Sequence, residues 1–154
     1  MNDTVYYSCA ETAKLTHQAL KKAFPGVKFG VRSKTYSGGA SIDVHWTDGP
    51  AHAAVDEVAG FFAGATFDGM VDLKSYVRSQ FEGKEAHFGS DYVFCNRHIS
   101  DDYEAKLTAA IEALANHDRH RLIYDEAHLT ADYSWDNERD RPIIIRNVAE
   151  RLAA

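Results

Sequence analysis

Apolar and polar residues alternate along two neighbouring stretches of this chain, residues 27–34 and 40–47. Side chains on a β-strand point alternately to opposite faces, so this alternation predicts two strands that each bury one face. The glycine-containing segment between them predicts an antiparallel hairpin. Both apolar sets must face one core, and this condition fixes the register of the two strands. The predicted opposing pairs are Val31 with Val44, Phe29 with Trp46, and Arg32 with Asp43.

Four stretches show the three- and four-residue apolar spacing of amphipathic helices. The first begins directly after Ser8, which has the spacing of a capping box with Glu11. Before the second, Asp48 or Thr47 can serve as the cap, and Pro50 fits the first turn because no backbone donor is needed there. The predicted helices span residues 9–24, 50–63, 101–116 and 142–152.

The remaining stretches carry other signals. Four consecutive apolar residues at 92–95 predict a third strand over residues 90–98, which is covered on both faces or lies inside the sheet. Residues 67–70 predict a turn, and residues 70–77 predict a short strand or one or two helical turns. The polar residues 80–89 predict a surface loop, and we expect the charged stretch 119–141 to be irregular.

Length and composition are those of an ordinary globular domain, with 154 residues of which 45% are hydrophobic. We therefore predict a single α+β domain over residues 1–154, with a small, mainly antiparallel sheet built on the hairpin and helices packed on one face. No apolar run approaches the ~20 residues that span a bilayer, and the N-terminus lacks a secretory signal. We expect a cytoplasmic protein without a membrane partner, with Cys9 and Cys95 reduced and packed in the core.

The histidines and cysteines do not form a recognisable catalytic or metal-binding motif. His117, His120 and His128 lie among acidic residues, but they lack the paired spacing of zinc ligands and stand beside arginines that would repel a cation. Cys95 and His98 are three positions apart, so on a strand they would point to opposite faces. We predict no metal, no cofactor and no catalytic residues, and hence a protein that is not an enzyme.

Two surfaces are candidates for binding. On the outer face of the hairpin, alternating basic side chains with an aromatic residue at the tip can bind phosphates and stack on a base, although a solvated sheet face is the alternative. This face comprises Lys28, Arg32, Lys34, Tyr36 and His45. The second surface is a group of aromatic residues that can form a protein interface. The alternative is that these residues fold their segment onto the core. It comprises Tyr124, Tyr133 and Trp135.

Three strings in the sequence resemble a known family: FPGVKFGVRSKTYSGGASIDVHWTDGP, FDGMVDLKSYV and DYVFCNRHIS. They are similar to large polyvalent protein-associated domain 29, a small α+β family found in proteins of phages and conjugative plasmids. The resemblance covers about residues 8–99 and implies a mobile-element setting, without catalytic residues to carry over.

The net charge of −6 would repel phosphate and favours a protein partner. In the mobile-element setting, we therefore expect a stoichiometric inhibitor of a host defence complex, of the anti-CRISPR or anti-restriction kind. The alternative is a nucleic-acid-binding accessory module that uses the basic hairpin face.

Overall fold

The computed structural model describes residues 3–68, 70 and 73–151. The chain divides into two compact units. The first unit consists of Met1–Trp46 and Ala54–Asn96, and the second of Thr47–Ala53 and Arg97–Ala154. Over the described residues, helices are combined with strands in small sheets, so the predicted α+β class is confirmed. Whether the chain behaves as the single domain predicted for residues 1–154 stays a prediction.

Helices and strands of the described residues follow one another in this order. The helices are α1 (Cys9–Ala23), α2 (His52–Ala59) with a 3-10 turn after it (Gly60–Phe62), α3 (Asp101–Glu112), α4 (Asn116–His120) with a π-helix after it (Arg121–Glu126), and α5 (Arg141–Arg151). The strands are β1 (Val5–Tyr7), β2 (Gly30–Tyr36), β3 (Gly39–Thr47), β4 (Ala65–Asp68), β5 (Leu73–Tyr76), β6 (Ser79–Phe81), β7 (Lys84–Phe88) and β8 (Tyr92–His98). β1 runs parallel to β7, whereas β2–β3, β4–β5 and β6–β7 are antiparallel.

The predicted hairpin is present as β2 and β3, in a sheet of order β2-β3-β8. Its register is the predicted one, with Val31 opposite Val44 and Arg32 opposite Asp43. The strands extend further towards the turn than predicted, to a pairing of Tyr36 with Gly39, whereas β2 begins at Gly30 and not at residue 27. The turn between them is therefore tight, and Gly38 has a φ of 90°, a backbone conformation that glycine adopts without strain.

The inner face of this sheet is buried under α1 and the first-unit part of α2. Ile42, Val44, Val55 and Ala59 are fully buried in one cluster, as is Leu20 from α1. The predicted pair Phe29 and Trp46 lies beyond the β2–β3 pairing, which begins with Gly30 opposite His45, but the two rings lie 5.9 Å apart within the same core.

Helix α1 begins at the predicted capping box. Ser8 Oγ accepts a hydrogen bond from the Glu11 backbone at 3.2 Å, and the Glu11 carboxylate accepts one from the Ser8 backbone at 2.8 Å. Thr12 and Thr16 are also fully buried. Each threonine hydroxyl donates to the carbonyl one turn back, at 2.7 and 2.8 Å, so burial leaves neither unsatisfied.

The predicted surface loop at residues 80–89 is wrong, because β6 and β7 form a hairpin there. Its turn contains Glu82 and Gly83 with φ of 50° and 77°, the left-handed pair typical of a type I′ turn. Ala86 and Phe88 alternate inward and are buried in a second core cluster of the first unit. The sequence signal for this hairpin was the alternation of Ala86 and Phe88 after the Glu82-Gly83 pair. Strand β1, the parallel partner of β7, was not predicted either.

Between these hairpins, β4 and β5 pair with Asp68 opposite Leu73. A short strand, one of the two structures predicted for residues 70–77, is therefore confirmed by β5. The predicted turn at 67–70 is wrong in its first half, because residues 67 and 68 continue β4. Residue 69 lies outside the described residues.

The second unit has its own helical core. Buried residues from α3, the π-helix and α5 pack together with Trp135. The expectation that residues 119–141 are irregular is wrong in its first part, since α4 and the π-helix continue to Glu126. Helix α5 ends at Arg151 in the described part of the chain, and residue 152, where the predicted helix ends, lies outside it.

Asp48 has a different role from the predicted one within the second unit. Its carboxylate accepts hydrogen bonds from the Ser100 backbone at 2.8 Å and the Ser100 hydroxyl at 2.6 Å, so it fixes the residue that caps α3. The backbone amides of His52 and Ala53 donate instead to Glu150, at 3.0 and 2.8 Å. The prediction that Asp48 or its neighbour caps the second helix is therefore wrong.

Candidate functional site

The face of the β2-β3-β8 sheet turned away from α1 is called here the outer sheet face. Because Ile42 and Val44 point into the core, the residues between and beside them point outward. The outward residues of β2 and β3 are Arg32, Lys34, Tyr36, Ser41, Asp43 and His45. All five residues predicted for the basic hairpin surface are exposed, and Lys28 lies two residues before β2.

Strand β8 adds two aromatic residues to the outer sheet face that were not predicted to lie on a binding surface. Val93 and Cys95 pack against the core, so Tyr92 and Phe94 point to the outer sheet face. Phe94 is 51% exposed, and its ring centroid lies 6.1 Å from that of Tyr92. The prediction that this strand is covered on both faces or lies inside the sheet is therefore wrong.

A salt bridge fixes one end of this face. The Asp91 carboxylate accepts hydrogen bonds from Lys74 Nζ at 2.8 Å and from the Ala40 backbone at 3.1 Å. Lys74 also donates to the Gly38 carbonyl in the hairpin turn at 3.2 Å. The hydrogen bond to Asp91 is the main cause that raises the pKa of Lys74. Lys74 is thus a fixed cation at the hairpin tip.

Several aromatic side chains lie next to Lys74 on the surface of the first unit. Lys74 Nζ lies 5.9 Å from the ring centroid of Tyr92 and 5.3 Å from that of Tyr76, which is 66% exposed. His87 lies 6.1 Å from Tyr76 and 5.6 Å from Tyr6, measured between ring centroids. An aromatic strip therefore runs from the outer sheet face across the surface of the first unit.

At the hairpin tip, Tyr36 is 44% exposed. A side-chain carbon at Gly39 would lie 3.2 Å from Cε2 of the Tyr36 ring, so the ring rests over this glycine. The ring is accordingly held across the turn with one side open to solvent. The predicted aromatic at the tip thus keeps a surface for stacking.

Charge is distributed unequally between the two units. The sequence of the first unit has nine basic and ten acidic residues, a formal charge of −1, whereas the second has eight and thirteen, a charge of −5. On the outer sheet face, Arg32 and Asp43 stand opposite each other, but no ion pair joins them in the described part of the chain. The unit that contains this face is therefore close to neutral, although the whole chain is acidic.

The second predicted surface contributes to the core of the second unit. Trp135 is 5% exposed, and Arg141 lies over its ring at 5.3 Å while donating to its carbonyl at 2.8 Å. The Tyr124 hydroxyl donates to the Tyr133 carbonyl at 2.7 Å. These contacts favour the alternative that the aromatic residues fold their segment onto the core. Their use as a protein interface stays a prediction.

The two thiols are in environments that disfavour nucleophilic chemistry. Burial, together with the neighbouring carboxylate of Asp56, raises the pKa of Cys95 to about 12. Burial also raises the pKa of Cys9, whose Sγ donates to the Ser41 carbonyl at 3.5 Å. The thiolate is the reactive form of cysteine, so both side chains are suited to packing rather than to attack on a substrate.

Over residues 3–68, 70 and 73–151, no three His, Cys, Asp or Glu side chains come together in a way that could hold a metal ion. None of the helices described here combines the length and apolar character that crossing a membrane requires.

Comparison with known proteins gives one match. No curated protein and no solved structure matches the chain. The model of large polyvalent protein associated domain 29 matches residues 7–100, a range that contains the whole outer sheet face. The match covers more than half of the 154 residues and associates the chain with polyvalent proteins of phages and mobile elements. The chain therefore belongs to the large polyvalent protein associated domain 29 family.

Proposed function

We propose that this chain is a binding protein that acts stoichiometrically and without catalysing a reaction. The observation that carries the proposal is the outer sheet face, where exposed aromatic rings and basic side chains lie together. Aromatic and arginine side chains concentrate binding energy in protein interfaces, and an exposed set of them marks a surface that is used.

The form that we propose for this function is inhibition of a host defence complex, of the anti-CRISPR or anti-restriction kind. The family supplies a mobile-element setting, in which such an inhibitor has a purpose. The charge of −5 in the second unit favours a basic protein partner, and complexes that handle nucleic acids carry basic surfaces. Action on such a complex would take place in the host cytoplasm.

The proposal can be tested by titration of a purified defence complex. The tagged full-length chain is first used to capture such complexes from host extracts, and a captured nuclease is then assayed with increasing amounts of the chain. A stoichiometric inhibitor abolishes activity near one equivalent. Complete inactivation by a small fraction of an equivalent would show an enzyme, and undiminished nuclease activity at a large excess would refute inhibition.

A second candidate is a nucleic-acid-binding accessory module that uses the hairpin face. The specific observation in its favour is the distribution of charge: the first unit, which contains Arg32 and Lys34, has a formal charge of only −1. Most of the net charge of −6 therefore belongs to the second unit, and the unit that contains the hairpin face is close to neutral.

A further inference from the structure

We infer that the outer sheet face binds single-stranded nucleic acid, with unpaired bases stacked on Phe94 and Tyr36 and phosphates held by Arg32 and Lys34. The inference rests on the proposal that this face is a binding surface. It names the chemistry of the ligand and is independent of whether the protein acts in counter-defence.

The aromatic residues are arranged as a stacking surface. Phe94 is 51% and Tyr36 44% exposed, on the β8 and β2 strands of one sheet face. Both side chains come from strands rather than loops, and the ring of Tyr36 is supported by the backbone of Gly39. A ring held in this way loses little conformational entropy when a base stacks on it.

The cations lie where a phosphate backbone would pass. Arg32 and Lys34 are exposed and occupy alternate positions on β2, so their Cα atoms are about 7 Å apart along the strand. Each can therefore meet a different phosphate. On β3 the outward positions lie between the basic strand and the aromatic strand. Ser41 stands opposite Lys34 and is buried, whereas His45 is exposed.

The same geometry favours a single strand over a duplex. In a duplex the bases are stacked on one another and their faces are hidden, so an exposed ring gains nothing from it. The ligand that uses both the rings and the cations is a chain of phosphates with unpaired bases. Lys74 at the hairpin tip extends the cationic side of this surface towards Tyr76, the next exposed ring.

Asp43 is the feature that opposes phosphate binding, and it gives the sharpest test. It stands opposite Arg32 in the middle of the face. If phosphates pass here, Asp43→Asn removes a repulsion and tightens binding by about two- to fivefold at low salt. A face that serves a basic protein partner would respond in the opposite direction.

The experiment measures binding of the full-length chain to labelled oligonucleotides of about ten nucleotides by fluorescence anisotropy. The oligonucleotides are single-stranded DNA, single-stranded RNA and a DNA duplex, and the salt concentration is varied from about 50 to 250 mM. Phe94→Leu removes the ring but keeps an apolar side chain, and we expect it to weaken single-strand binding by about five- to hundredfold. Phe94→Tyr keeps a ring and should bind within about twofold of the unmodified chain.

The basic residues are tested by salt dependence. Arg32→Gln and Lys34→Gln should each reduce the slope of log affinity against log salt by about 0.7, the value for one phosphate contact on a single strand. The matched control is Lys21→Gln, which changes the net charge equally but lies at the end of α1. This control should leave the slope unchanged.

Three results would overturn the inference. The first is no binding of either single strand at low salt. The second is equal binding of duplex and single strands that Phe94→Leu leaves unchanged, because stacking then plays no part. The third is capture of a protein partner that Phe94→Leu abolishes while the oligonucleotides remain unbound. In that case the face is a protein interface, and the proposed stoichiometric binding stands without the inference.

Discussion

Arg97 is a buried cation of the second unit. Its side chain is 5% exposed. The guanidinium donates three hydrogen bonds to carbonyl oxygens of the same unit: to Asp48 at 2.8 Å, Gly49 at 3.1 Å and Ala149 at 2.7 Å. It also lies 5.9 Å from the ring of Tyr103. The planar fork of arginine thus ties a short segment near residue 48 to the end of α5.

The cost of removing this side chain follows from these contacts. A hydrogen bond from a charged donor contributes about 1.5–3 kcal/mol, but three bonds made by one group are not additive. Arg97→Met fills much of the same volume and leaves three carbonyl groups without their donor. We expect it to lower the free energy of unfolding by about 3–5 kcal/mol, because several bonds from a charged donor are lost together and their carbonyl acceptors lose a partner. Arg97→Lys keeps the charge but not the fork, and should cost about 2–3 kcal/mol.

Urea unfolding of the full-length chain, followed by circular dichroism, measures these differences. Arg119 provides a matched control, because it also donates to three carbonyl groups, each at 3.2 Å, at the end of α3. Its bonds are longer and its side chain is half-buried, so Arg119→Met should cost about 1 kcal/mol. Equal losses for Arg97→Met and Arg119→Met would refute the argument from burial.

Fluorescence adds a test of the predicted single domain. Trp46 is buried in the first unit and Trp135 in the second, so Trp46→Phe and Trp135→Phe each leave one tryptophan as a reporter for one unit. Coincident urea transitions in the two variants would confirm a single cooperative domain. Two separate midpoints, with Arg97→Met lowering the Trp135 transition alone, would show that the units unfold independently.

Three further predictions concern local features. Gly64→Ala should destabilise the protein by about 1–3 kcal/mol in the same urea assay, because a side-chain carbon there would collide with two backbone carbonyl oxygens. The control is Gly60→Ala, which should be close to neutral because a side-chain carbon at Gly60 meets nothing within 4 Å. Cys9 and Cys95 have raised pKa values and should react with a thiol reagent at pH 8 only after denaturation; rapid labelling of the native chain would contradict their burial. The capping-box hydrogen bonds lower the pKa of Glu11 below its ordinary value of 4.5. The ionised carboxylate therefore stabilises the protein above pH 4.5, and this stabilisation is lost as the pH falls through the lowered pKa. Glu11→Gln should reduce the acid dependence of the unfolding midpoint, and an unchanged dependence would count against the cap.

The hairpin was predictable because its information is local. Period-two alternation identified both strands, and the requirement of one apolar face fixed the pairing of Val31 with Val44. The capping box of α1 was equally local, since its two residues are three positions apart. In both cases, neighbouring residues supply the partners.

The β6–β7 hairpin shows where such reasoning stopped. Its strands have three and five residues, too short for alternation to stand out among polar side chains. Glu82-Gly83 was a usable turn signal, but glutamate is not a residue typical of left-handed backbone. The parallel partner of β7 lies near the N-terminus, joined by the contact of Thr4 with Glu85, and sequence periodicity gives no indication of such a distant pairing.

The candidate site divides along the same line. By itself, the sequence determined which side chains share a face. It placed Arg32 and Lys34 on the outer side of the first hairpin strand and Tyr36 at the hairpin tip. The tertiary structure decided which faces stay open: it exposes Phe94 and buries Trp135, although both belong to apolar or aromatic patterns. Periodicity depends on the geometry of one strand or helix, whereas exposure depends on which distant elements pack against it, and that long-range packing cannot be deduced from the spacing of neighbouring residues.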